Sequence, residues 1–248
     1  MSEKVYSSLI STDGFGAQYQ RVFQTYIFCK IHNLIFVYNK FDLVEHVPNN
    51  DAKYINSLEQ LINLKNNISN LKSQMNVTHI DYTSIIMPFF EKNIDYCCES
   101  EHMQFIKKCF WENKDKIFSN NGNGKMNVAV HIRRENPIDK GMAGERATTP
   151  NSYYLNIMNH IRKKYADKNL IFHIYSQGNQ SNFKEFENED TVLYLDHDLI
   201  ESFFGMVSAD IFIMSPSSFS YSAALISDGE IYYKPFWHAP KKSWITHL

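Results

Sequence analysis

No segment of this chain approaches the roughly 18 consecutive apolar residues that a membrane-spanning helix needs. The opening Met-Ser-Glu-Lys-Val-Tyr also lacks a basic region followed by an apolar core, so no signal peptide is expected. Basic charge is not in excess: 25 Lys and Arg stand against 27 Asp and Glu, a formal net charge of −2 with a pI near 6.5. A dedicated nucleic-acid-binding domain is usually strongly basic, so no nucleic-acid partner is expected. Cysteine is scarce. Cys29, Cys97, Cys98 and Cys109 are too few and too unevenly spaced for a disulfide framework or a zinc site, and read as free thiols of a cytosolic protein. No repeat of solenoid period is visible, and the sequons at Asn67 and Asn76 are what an Asn-rich chain produces by chance.

What is present describes an ordinary globular chain of 248 residues, 44% hydrophobic and 21% charged, long enough for two modest cores. Its 15 Tyr and 18 Phe are expected mainly to fill core volume. Residues 5–10 read as a strand, followed by a glycine turn, a helix over 17–32 and a strand over 34–38. The stretch 51–119 reads as mostly helical, with apolar residues of 55–62 about a helical period apart, a second helix over 100–118, and a strand somewhere in 84–90. Asn120-Asn-Gly-Asn-Gly124 is the best linker. After it, strands at 126–132, 170–175, 192–195, 210–214 and 230–233 alternate with helices at 151–165, 199–207 and 217–226. That alternation predicts a parallel α/β sheet with right-handed crossovers. The expectation is two Rossmann-like domains, 1–122 and 125–248, facing each other across a cleft.

Three segments carry chemistry. The first is Asn127-Val-Ala-Val-His-Ile-Arg-Arg-Glu135, a buried-type strand that delivers two arginines to its carboxyl end. Alternation along a strand puts His131 and Arg133 on one face and Arg134 on the other. Ligands of open α/β sheets bind beyond such strand ends, and a guanidinium fork suits phosphate oxygens. The second is Met214-Ser-Pro-Ser-Ser-Phe-Ser-Tyr-Ser-Ala-Ala224, which follows an apolar strand and opens a helix. Unpaired N–H groups and a positive helix end favour an anion there. Plain N-capping explains one serine well and four poorly. The third is Ser11-Thr-Asp-Gly-Phe-Gly-Ala-Gln18, a glycine turn that departs from GxGxxG because Tyr19 stands in the third glycine place.

Taken in order, Gly14-Phe-Gly-Ala-Gln18, His131-Ile-Arg-Arg134 and Ser217-Ser-Phe-Ser-Tyr-Ser-Ala-Ala224 resemble the superfamily of α1,2/α1,6- and protein-O-fucosyltransferases. Its members show a GG(L/F)GNQ-like turn, an H(V/I)RR segment and an SSFSWWGA-like segment. Phe172-His-Ile-Tyr-Ser-Gln177 and the stretch 198–210 are similar to the strand and helix that precede the serine motif. The resemblance covers the first 35 residues and most of the C-terminal half, but not residues 45–120. It implies a GT-B fold, a GDP-fucose-like donor held mainly by the C-terminal domain, and inversion at the anomeric carbon without a metal or other cofactor. By position, Arg133 would contact the donor diphosphate, with His131 and Arg134 beside it. Ser217, Ser218, Phe219 and Ser220 would line the phosphate and nucleotide pocket, Ser176 would lie near the nucleoside, and Gly14, Phe15 and Gly16 would border the cleft. The chain departs from the family pattern at Asp13, Ala17 and the pair Tyr221-Ser222, and these departures bear on the sugar more than on the fold.

Sugar transfer builds negative charge on the leaving diphosphate, which Arg133 and the helix end over 217–220 would stabilise. An acceptor hydroxyl also calls for a general base, for which Asp13, Glu135, Asp139 and Glu145 are candidates, Asp13 and Glu135 leading. The last two lie on the loop 135–150, whose two glycines would let it close over substrate. Asp196-His-Asp198 imitates a metal-binding DxD, although an N-cap role accounts for Asp198. His173 is expected as a packed core residue, and Trp237 and His238 as either a lid or a cover of the core. The expectation is thus a glycosyltransferase acting on a nucleotide sugar and a glycan acceptor in a bacterial or viral cytoplasmic pathway. A different donor such as UDP-xylose, or a non-catalytic nucleotide-sugar or glycan-binding module, are the alternatives.

Overall fold

The computed structural model describes residues 5–7, 12–68, 77–118, 124–135 and 148–246. The chain forms two compact units, Met1–Lys114 and Asp115–Leu248. Among the described residues no helix is long and apolar enough to cross a membrane. Residues 8–11 of the first expected strand and turn, Asn76, residues 120–123 of the expected linker, and Asp139 and Glu145 on the expected loop lie outside the described residues.

In the first unit, β1 (Val5–Ser7) is followed by α1 (Phe15–Ile31) and β2 (Ile35–Phe36). Helices α2 (Ala52–Ile62) and α3 (Leu64–Asn67) precede β3 (Val77–His79), and α4 (Met87–Lys92), α5 (Ile94–Glu99) and α6 (Glu101–Trp111) complete the unit. The three short strands pair in parallel in the order β2-β1-β3. Helix α1 is buried on nearly every side: Phe15, Tyr19, Val22, Phe23, Tyr26 and Ile27 form its apolar side, and the polar Gln18, Gln20, Gln24 and Thr25 are buried as well. The Glu59 carboxylate is also buried here, accepting from the Tyr38 hydroxyl and the Phe41 N–H at 2.6 Å each, and desolvation raises its pKa.

Two expectations fail in this unit. Residues 84–90 form no strand; a wide π-helical turn over Tyr82–Ile86 runs directly into α4. Asp81 caps that turn through the Ser84 N–H and hydroxyl, both at 3.0 Å, and Pro88 suits a helix entry while lacking the N–H a strand needs. The third strand is instead β3, whose three residues are all exposed and carry no alternation to read. The helix expected over 100–118 stops at Trp111, and Asn113 takes a left-handed φ of 58° just beyond it.

The second unit is a doubly wound sheet. Its elements are β4 (Lys125–Ile132), α7 (Asn151–Lys164), β5 (Asn169–Ser176), β6 (Thr191–Leu195), α8 (Leu199–Ser208), β7 (Ile211–Ile213), α9 (Ser218–Ile226) and β8 (Glu230–Tyr232), with a short 3-10 segment at Gln180–Phe186. All strands are parallel, in the order β6-β5-β4-β7-β8. The alternating side chains of β4 explain the two layers. Val128, Val130 and Ile132 face a core shared with Tyr154, Ile157, Met158 and Ile161 of α7 and with Phe183 and Phe186. The opposite face, with His131, Tyr175 and His173, takes α8 and α9: Phe219 meets the His131 ring at 5.6 Å and Phe203 at 5.4 Å. Gly205 lets α8 lie directly on Tyr175, since a Cβ there would stand 2.1 Å from the phenol oxygen. Beyond β8 the chain returns so that Ile245 bridges Tyr232.

Candidate functional site

Strand order reverses between β4 and β7, the first and fourth strands of the second unit, and the crevice of such a fold opens at the carboxyl ends of that pair. Val130 pairs with Ile213, after which the two chains part: β4 continues into Arg133, and β7 into Met214 and Ser215. Ser215 ties the parting strands together. Its hydroxyl donates to the His131 carbonyl at 2.7 Å and accepts from the Arg133 N–H at 2.8 Å. Since that hydroxyl has one hydrogen, the 2.5 Å contact with Tyr154 Oη has the phenol as donor. Ser215 and Tyr154 are fully buried, so each bond is shielded from water. The backbone that presents Arg133 is thereby held from β7 and α7 at once.

The side chains on the opposite face of β4 complete the arrangement. His131 Nδ1 lies 2.5 Å from Ser220 Oγ, which also accepts from the Ser215 N–H at 3.2 Å. Burial pushes the His131 pKa down to about 3, with the Arg133 charge adding to the effect, so the ring is neutral. Arg133 is half-buried and donates to Gln177 Oε1 at 3.1 Å, beyond the end of β5. Ser217 is the N-cap of α9, accepting from the Phe219 N–H at 3.2 Å, while Ser218 and Phe219 are half-buried in its first turn. His131, Arg133, residues 217–220 and Gln177 therefore lie at the carboxyl ends of β4, β5 and β7, which puts a guanidinium and a helix's positive end on the same end of the sheet. That combination suits an anion.

Other expected site residues have different surroundings. Arg134 faces the α7 side, as alternation requires. It donates to the Thr149 carbonyl at 3.0 Å and to Asn151 Oδ1, over the Phe183 ring, and burial lowers its pKa. The guanidinium packs the start of α7. The Ser176 hydroxyl donates to the Ile132 carbonyl at 2.7 Å, locking the ends of β4 and β5. Glu135 is exposed, just before the residues outside the description.

Asp198 is the N-cap of α8, accepting from the N–H groups of Ile200 and Glu201 at 2.9 and 3.0 Å. Asp196 accepts from the Gly178 N–H at 3.2 Å. Among the described residues no three His, Cys, Asp or Glu side chains gather as a metal site would require. His173 is a core residue, stacked on Phe118 at 4.3 Å, and burial pushes its pKa down to about 4. His238 stacks face-on with Tyr221 at 4.5 Å and covers the core, whereas Trp237 beside it is exposed.

The glycine turn belongs to the first unit. Asp13 Oδ1 accepts from the Gly14 N–H at 2.9 Å, and Oδ2 forms an ion pair with Arg21 at 2.8 Å. Gln18 pins the turn by donating to the carbonyls of Asp13 and Leu43, both at 2.6 Å. Gly14 is the N-cap of α1 with an extended backbone (φ −63°). Phe15 is 2% exposed and packs with Tyr19 and Phe41, and Gly16 is buried in the first turn. Phe15 thus packs in the core at the entry of α1.

No protein-family model, curated protein or solved structure matches the chain. The site therefore stands on its own geometry. Ser215, Tyr154 and Gln177 are the residues that sequence reasoning did not single out. Ser215 lies inside the serine segment, but its partners are 61 to 84 positions away along the chain, and only parallel pairing of β4 with β7 brings them within reach.

Proposed function

We propose that the chain is an inverting, metal-independent glycosyltransferase that moves a sugar, L-fucose from GDP-fucose by its motifs, to a glycan hydroxyl. The observation that carries this reading is the convergence of Arg133 and the first turn of α9 at the strand-order reversal between β4 and β7. These are the two segments the fucosyltransferase resemblance assigns to the donor diphosphate. In this reading the two units form a GT-B pair, with the first on the acceptor side. As the bond to the sugar breaks, negative charge grows on the leaving diphosphate. A preorganised guanidinium and helix end stabilise that charge more than the ground state. The engagement of Asp198 as a helix cap and of Asp196 with Gly178 supports a mechanism that does not route through that pair. The acceptor's proton would pass to Asp13 or Glu135.

A thermal-shift panel of GDP, UDP and CMP tests the donor. At a hundredfold excess over Kd a ligand of the folded state adds about 2.7 kcal/mol of stability, several degrees in Tm for a chain of this length. GDP is expected to give the shift; a UDP response would name a different donor such as UDP-xylose, and no response would refute the reading. Binding without sugar transfer from GDP-fucose to a panel of glycan acceptors would identify a binding module instead.

A further inference from the structure

The Ser220 hydroxyl is fully buried and has one hydrogen and two lone pairs to satisfy. One lone pair accepts from the Ser215 N–H at 3.2 Å, and the other contact is His131 Nδ1 at 2.5 Å. Two arrangements are possible. If Nδ1–H donated to Ser220, both lone pairs would be taken and the serine hydrogen would have no acceptor among the described residues. A buried donor left without an acceptor is costly. If Ser220 donates to Nδ1, the serine hydroxyl and Nδ1 are both satisfied, and the imidazole hydrogen sits on Nε2, the one group of the ring left for a ligand.

We infer that Ser220 holds His131 as the neutral Nε2–H tautomer, and that Nε2–H is a fixed, uncharged donor to an oxygen of the anion received by Arg133 and the first turn of α9. The ring is more than nine-tenths buried, and among the described residues nothing accepts from Nε2. Its neighbours leave it no route to a charged form near neutrality. Arg133 on its own strand repels a second positive charge, Tyr175 on β5 is in register with it and neutral, and Phe219 and Ser220 of α9 carry no charge. The site thus combines one charged donor with one neutral donor, and its anion affinity owes nothing to histidine protonation. This inference rests on the anion-binding half of the proposed function, not on the identity of the nucleotide or sugar.

The test has two arms. Two-bond ¹H–¹⁵N spectra of the whole protein, recorded between pH 8 and 5, should show His131 with a protonated Nε2 and a bare Nδ1 throughout. Titration near the ordinary value of about 6.5, or a proton on Nδ1, would overturn the inference. In the second arm inorganic pyrophosphate is the probe. Removal of one donor to a charged oxygen is expected to weaken its binding about tenfold to hundredfold in His131→Phe. His131→Gln, whose amide N–H reaches the place of Nε2–H, should recover most of that loss. Ser220→Ala should lose a smaller, few-fold part, with the single hydrogen of the neutral ring then shared between Nδ1 and Nε2 as a tautomer mixture in the spectra. Wild-type affinity in His131→Phe, or no pyrophosphate binding by the wild type, would refute the donor role. Pyrophosphate binding with no response to any nucleotide would leave this inference intact and remove the proposed function instead.

Discussion

Ser215→Ala is the sharpest probe of how the site is built. The hydroxyl is buried and serves three partners: the His131 carbonyl, the Arg133 N–H and the Tyr154 phenol. Alanine keeps the shape but strands all three. The Arg133 backbone borders half-buried surface and can recruit water, so its loss is partly made good. The His131 carbonyl has no such recourse and the fully buried Tyr154 hydroxyl keeps only Thr149, and each stranded group costs about 1–3 kcal/mol. The expected destabilisation is about 2–4 kcal/mol, read as a fall in the urea midpoint at unchanged slope by far-UV circular dichroism. Tyr154→Phe alone removes a donor and leaves Ser215 still bonded to His131, at about 1 kcal/mol. Combined with Ser215→Ala it also removes the stranded phenol. The double variant should therefore be more stable than the sum of the singles by about 1–2 kcal/mol. Strict additivity, or a Ser215→Ala cost below about 0.5 kcal/mol, would refute the three-partner account of the strand junction.

The two arginines should separate cleanly. Arg133→Ala should abolish most pyrophosphate binding with little loss of stability. Arg134→Ala should do the reverse, costing about 1–3 kcal/mol by releasing Thr149 and Asn151 while leaving affinity near wild type, as paired denaturation and calorimetry would show. Gly205→Ala should destabilise by about 1–3 kcal/mol, because its methyl would sit 2.1 Å from the Tyr175 oxygen; Tyr175→Phe in the same chain should restore part of the loss in a thermal melt. Acid should weaken the fold through buried histidines. His131 and His173 are depressed to about 3 and about 4 from 6.5, so the unfolded chain binds their protons first, and stability present above pH 6.5 falls between 6.5 and 4. His173→Gln should make that decline shallower, and an unchanged pH profile would contradict the assignment.

The second unit was legible because its signals are local. The apolar runs of β4 and β5 and the switch from strand to helix periodicity at 151, 199 and 218 follow from burial on both sheet faces. Strand alternation also separated Arg133 from Arg134, and the capping preference of Asp located Asp198 at the start of a helix. The first unit was harder to read. Its strands are two or three residues long, and β3 exposes every side chain, so neither period nor composition marks it. Pro88 lacks the N–H that a strand over 84–90 would need, and the helical entry it suits becomes visible only where the turn over 82–86 runs into α4.

The sequence by itself determined which residues carry charge and hydroxyls, where strands of the second unit end, and which face each side chain of β4 takes. Those properties depend on neighbours one to four positions apart. Only the tertiary structure decided that β4 pairs with β7. That pairing brings Ser215 to His131 and Arg133, and Ser220 to the His131 ring, across more than 80 residues. It also decided that Phe15 is core and that Arg134 and Ser176 are engaged in holding strand and helix ends. A hydrogen bond has reach of about 3 Å. No pattern along the chain can state such proximity until the sheet order is known.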